Sequence, residues 1–145
     1  MSAKIVVGLD GGGSGNRAVD YAKKLAGQIG SCELILVYVI EWSPFTFQTP
    51  EENEERHKRR EEEISAAQSR IIQPALDRLA DEGIPIRGIV KHGDVAETLD
   101  RVAKQEKADQ IVVARTSETG MIRRIFGSST ANLVMHSTVP VTVVG

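Results

Sequence analysis

The segments KIVVGL (residues 4–9) and ELILVYVI (residues 33–40) are nearly unbroken apolar runs, rich in β-branched residues and too short for ordinary helices. A strand that is wet on one face alternates apolar with polar residues. These runs do not alternate, so each reads as a strand covered on both faces, the habit of parallel sheets. Parallel neighbours need a crossover, usually a helix, and the residues between the two runs supply one. Ala18, Tyr21, Ala22, Leu25, Ala26 and Ile29 recur at helical spacing, with Ser14 placed to cap the start. The two runs and this helix form a βαβ unit, right-handed in nearly every known case.

The same alternation continues along the chain. Thr49, Pro50 and Glu52 combine a capping box with a proline at the first helical position, opening a long helical segment that reaches residue 82. Its first part, EENEERHKRREEE, reads as a solvated face. Its packing face is Ile64, Ala67, Ile71, Ala75, Leu76 and Leu79, and Pro74 should kink or split it. A short third strand follows at 86–90. Asp94 is placed to cap the next helix, which turns Val95, Leu99, Val102 and Ala103 toward the sheet. QIVVA (110–114) is the fourth strand, a last helix runs from Gly127-Ser128 to about His136, and VTVV (141–144) is the fifth strand. The expected architecture is α/β: a doubly wound five-stranded parallel sheet forming one domain over residues 1–145.

Several classes are excluded at this point. Acidic residues slightly outnumber basic ones and the net charge is −2, which argues against nucleic acid. One cysteine, Cys32, cannot staple a fold, and with three scattered histidines it does not make a zinc site. No apolar run approaches the roughly 18 residues of a membrane span, and the N-terminus has no signal-like stretch. The chain is therefore expected to be cytoplasmic.

Ligands of open parallel sheets sit outside the carboxyl ends of the strands where the winding reverses. That crevice should lie between the loops after the first and fourth strands. The first loop offers Asp10 and glycines from Gly11 onward, whose bare N–H groups can approach a phosphate, although a solvated turn explains them equally well. It is no dinucleotide fingerprint, because Asn16 stands where the third glycine belongs, and no lysine-serine pair makes it a Walker loop. Gly127, Ser128, Ser129 and Thr130 lie at a helix start, where they can bind an anion or simply cap the helix. His57 reads as solvated, His92 as part of a surface turn, and His136 as a partner for terminal carbonyls. The loop with Trp42, Phe45 and Phe47 reads as cover for a sheet edge or as a pocket rim.

Taken in order, KIVVGLDGGGSGNRAVDYA, LVYVIE, GDVAETL and FGSSTANLVMHSTVPVTVV resemble the universal stress protein family over the full chain. The resemblance implies a three-layer sandwich of the adenine-nucleotide α-hydrolase type, with sheet order 3-2-1-4-5. It also implies a small stress-responsive regulator or binding module, commonly a homodimer. The leading expectation is a module without turnover of its own, and a purely structural protein with a closed pocket that binds an unnamed protein partner is a further option. Some members hold ATP. In those, the loop after the fourth strand reads Gly-x-x-Gly, nine residues, then Gly-Ser/Thr. Here the last element is Gly127-Ser128, while Ala114 and Ser117 stand in for the first two glycines. The resemblance carries Asp10 over as the acidic residue after strand one and Val39 as the position whose main chain meets adenine. Val113, Ala114, Arg115, Ser117, Gly127, Ser128 and Ser129 would line the rest of the site. Where glycine serves positive φ, a Cβ costs about 1–2 kcal/mol and blocks close approach to phosphate, so ATP binding should be weakened. The alternative is a weak ATPase or an autophosphorylating enzyme, with Ser128, Ser129 or Thr130 as acceptor. The fifth strand should lie at a sheet edge, uncharged from Ser137 to Gly145, and is expected to pair with a second copy through Val139, Val141 and Val143.

Overall fold

In the computed structural model, which describes residues 2–10, 13–41, 50–115 and 130–145, the apolar runs are strands and each but the last feeds a crossover. The order is β1 (Ala3–Leu9), α1 (Gly13–Ile29), β2 (Cys32–Glu41), α2 (Pro50–Ala67), a π-turn (Gln68–Ile72), α3 (Gln73–Leu79), a 3₁₀ turn (Ala80–Glu82), β3 (Ile86–Gly93), α4 (Val95–Glu106), β4 (Gln110–Ala114), α5 (residues 130–136) and β5 (Val141–Val144). All strand pairs are parallel, in the order β3-β2-β1-β4-β5. The doubly wound α/β sheet of order 3-2-1-4-5 is thus the one observed. Among the described residues no helix is long and apolar enough to cross a membrane.

The unbroken apolar runs follow from helices on both faces. Ile5 and Val7 of β1, with Leu34 and Leu36 of β2, pack against α1 and the α2–α3 stretch through Ala18, Val19, Ala22, Ile72 and Leu79. Their neighbours Val6, Ile35 and Val37 pack on the other face against Leu99, Val102 and Ala103 of α4 and Leu133 of α5. Each of these buried Val, Leu or Ile side chains contributes about 1.5–3 kcal/mol.

Pro74 divides the second helical segment as expected, by way of the π-turn. Proline has no N–H for the carbonyl of Arg70 four residues back, and its ring crowds that group. The turn before it widens, and the Gln73 N–H donates to the Gln68 carbonyl, five residues back. The extra residue moves the buried face by one position: Ile72 is buried and Ile71 only half-buried. Ile72 lies directly over Gly88 of β3, where an added Cβ would fall 2.2 Å from its Cγ2 atom.

β3 is longer than its apolar stretch suggests. Gly93 pairs with Glu41, so His92 lies in the strand and not in a surface turn. Its Nε2 atom is 3.0 Å from Glu63 Oε2 on α2, which ties the charged helix to the carboxyl end of the sheet.

Gly88→Ala should lower stability by about 1–3 kcal/mol, because the clash is with a stiff β-branch and not with a mobile side-chain tip. Urea denaturation measures the loss, and adding Ile72→Leu, which moves the branch one carbon outward, should recover part of it.

Candidate functional site

At the carboxyl end of β1 the chain leaves the sheet and turns into α1. Asp10 follows Leu9, and its Oδ1 atom accepts the Gly15 N–H at 3.1 Å. Gly15 lies in the first turn of α1, where N–H groups lack partners within the helix, so the carboxylate satisfies one of them and faces the positive end of the dipole. Ser14 was the expected cap, but the helix already begins at Gly13, which places Ser14 inside the first turn. α4 begins as expected: Asp94 Oδ2 accepts the Glu97 N–H at 3.0 Å.

Between these helix starts, over the ends of β1 and β4, lies a cleft. Gly8, Leu9 and Asp10 form one side, and Val113 and Ala114 the other. Val37 and Val39 of β2, Val95 and Leu99 of α4, and Leu133 and Thr130 of α5 close it from the α4 face. Gly8 makes the floor possible, since a Cβ there would fall 2.9 Å from Val113 Cγ1 and 3.1 Å from Leu99 Cδ1. The enclosed part is narrow, about 40 Å³, and with the open mouth the empty space reaches about 540 Å³. The enclosed volume lies well below the roughly 300–1,000 Å³ of ordinary ligand clefts, and the rest of the empty space is open to solvent. The walls are valine and leucine, and the ionisable side chain among the described lining residues is Asp10. Burial, reinforced by the negative charges of Asp10 and Glu41, pushes the nearby Tyr38 phenol up and keeps it neutral.

The structure brings Asp10, Val39, Val113 and Ala114 to this one cleft. Arg115 follows Ala114 directly, and its N–H donates to the Val144 carbonyl at 2.7 Å, so its main chain belongs to the β4–β5 ladder. Gly11, Ser117, Gly127, Ser128 and Ser129 lie outside the described residues, as do Thr49, Trp42, Phe45 and Phe47. Ala114 sits in a regular strand, and Lys107 is the described non-glycine residue with positive φ. The backbone-strain argument against alanine therefore does not apply at this position, and only the closer approach of a Cβ remains. Sequence reasoning did not connect Gly8, Val37, Leu99 and Leu133 with the site. Gly8 was the available signal, since a glycine inside a buried strand marks a close approach. Cys32 is buried, and burial raises its thiol pKa, as in an inert core cysteine. Among the described residues no group of three or more His, Cys, Asp or Glu side chains comes together to hold a metal.

The model of the universal stress protein family matches residues 1–145. A universal stress protein of Methanocaldococcus jannaschii is 29% identical over 142 residues, covering 97% of this chain and 81% of that protein. Among solved structures, universal stress protein UspA from Lactobacillus plantarum superposes with a TM-score of 0.79 at 22% identity, over 99% of this chain and 97% of that one. A universal stress protein crystallised in complex with cAMP gives a TM-score of 0.69 at 26% identity, over 99% and 96% of the two chains.

Asp10→Ala removes the acceptor for Gly15 and should cost about 1 kcal/mol, the usual worth of a helix-start acceptor. Asp10→Asn, which keeps an acceptor oxygen, should lose less than half of that. Urea midpoints of the three proteins provide the comparison.

Proposed function

Because the chain belongs to the universal stress protein family, we propose that it is a small dimeric regulatory module that holds an adenine nucleotide and does not turn it over. The observation that carries this reading is the cleft: a narrow valine-lined slot with one carboxylate at its edge, over the β1–β4 switch point. A flat, weakly polar base suits such a slot, and the family resemblance assigns the main chain of Val39 to its edge. A carboxylate repels phosphate but accepts sugar hydroxyls, so Asp10 suits the ribose end of the ligand. The family member in complex with cAMP supports the ligand class. ATP itself is held weakly in this reading, since Ala114 and Ser117 stand where the ATP-holding members have glycine.

The absence of turnover is part of the same proposal. A phosphoryl-transfer site needs charge to clamp phosphates and a metal ion, usually from lysine, arginine and more than one carboxylate. Among the described lining residues Asp10 alone carries charge. Thr130 does line the cleft, which makes it the acceptor to inspect under the rival reading of autophosphorylation.

The proposed dimer rests on β5. Among the described residues it is an outer strand with one neighbour, β4, and such an edge presents unpaired main-chain groups that proteins ordinarily cover. Val143 is 39% exposed, whereas Val139 and Val141 lean on the α4–α5 side of the core. The pairing we propose is therefore made by the main chain, with Val143 as its outward apolar contact and a two-fold axis between antiparallel copies.

Millimolar AMP, cAMP or ATP with Mg²⁺ should raise the melting temperature, whereas GTP should not. At a hundredfold excess over Kd the gain is about 2.7 kcal/mol, or roughly 5–10 °C for a domain of this size. The nucleotide should be recovered chemically unchanged with no phosphate on Thr130. An unmoved melting temperature and a flat calorimetric titration would sink the ligand reading.

For the assembly, light scattering at micromolar concentration should give the mass of two chains, and Val143→Lys should give one. A monomeric wild type at high concentration would refute the edge pairing.

A further inference from the structure

Arg17 stands apart from the other charged residues. It lies in the second turn of α1, and its Nη2 atom donates to the main-chain carbonyl of Arg115, 98 residues away at the end of β4. The other charged side chains of α1 with drawn partners, Asp20 and Lys23, pair with the exposed Arg78 and Glu82. The Nε atom of Arg17 is buried and has no hydrogen-bond partner among the described residues. Sealing a guanidinium N–H from water without a partner is costly, and a surface arginine can avoid it by turning outward. The Arg115 carbonyl is what the side chain gains by staying.

The position of that carbonyl gives the contact its meaning. Arg115 immediately follows Ala114, a wall of the cleft, and its N–H is already held by Val144 of β5. Gly15, two residues before Arg17, holds Asp10 on the opposite side of the cleft. The start of α1 therefore grips both strand ends that border the crevice: β1 through Asp10 and Gly15, and β4 through Arg17 and Arg115. A guanidinium donating to a carbonyl is among the stronger hydrogen bonds.

We propose that Arg17 is a positioning residue for the cleft. It fixes the end of β4 relative to the loop after β1, and so sets the separation between Asp10 and the Val113–Ala114 wall before any ligand arrives. Its consequence for affinity rests on the nucleotide reading above, whereas the tether itself does not. Loss of the contact should let the last residue of the β4–β5 ladder fray, widen the slot and weaken binding, without loosening the middle of the sheet.

The experiment compares wild type, Arg17→Ala and Arg17→Lys by amide hydrogen exchange and by calorimetric titration with AMP. Removing one net hydrogen bond of this kind corresponds to about a tenfold effect. Arg17→Ala should speed exchange of the Arg115 amide, and raise the AMP dissociation constant, by about tenfold each. Exchange at Ile111, which donates to Pro140 deeper in the same ladder, should not change. Arg17→Lys, which can still donate once to the Arg115 carbonyl, should restore both values to within about threefold of wild type. The proposal falls if the Arg115 amide exchanges as in wild type, if Ile111 accelerates equally, if AMP affinity is unmoved, or if lysine rescues nothing. If wild type binds no AMP, the nucleotide reading fails, and the exchange comparison still decides the tether.

Discussion

A sheet with two dry faces governs this molecule. Residues of β1 and β2 alternate between two cores, and both cores are closed by helices. Neither face has room for a hydrated polar group, because burying one without a partner costs several kcal/mol. Chemistry is pushed to the strand ends, where the main chain runs out of neighbours. At the carboxyl ends of β1 and β4 the crossovers depart to opposite faces, α1 to one and α5 to the other. The gap between them is the cleft, as strand order dictates for any doubly wound sheet.

The same constraint decides what could be read from the sequence. Strands covered on both faces are continuous apolar runs, so KIVVGL, ELILVYVI and QIVVA announced themselves, as did Asp10 and Ala114 at the points where such runs stop. Helix periodicity was less informative. It tells that Leu99 faces the sheet, but not that it lies over Gly8 and lines one cleft with Leu133. The π-turn displaced the buried face from Ile71 to Ile72 by inserting a residue that no fixed period anticipates. His92 looked like a turn because it precedes Gly93-Asp94, yet an outer strand tolerates polar residues that reach a neighbouring helix. Arg17 was invisible: a charged residue on an amphipathic helix carries no sign that it reaches the main chain of a distant strand.

The substituted glycine at Ala114 shows why motif arithmetic needs geometry. Counted from the sequence, alanine there loses conformational freedom and space together. In the fold, Ala114 is an ordinary extended residue paired with Val144. What remains is a half-buried methyl group packed against the core on the α1 side, at a residue that also borders the cleft.

β4 joins the two surfaces of interest. Val113 and Ala114 line the cleft, and the same residues pair with Val143 and Val144 of the outer strand. The last bond of that ladder, from the Arg115 N–H to the Val144 carbonyl, sits at the rim of the cleft. An outer strand of four residues with one neighbour frays most readily at its ends, because nothing on its far side resists. A second copy on β5 would supply that resistance, and its effect would pass through a single strand to Ala114. The route would be short, consisting of one ladder of main-chain hydrogen bonds. In the proposed dimer, pairing at the edge would be coupled to order in the cleft through this ladder, with Arg17 holding the carbonyl of the same residue, Arg115.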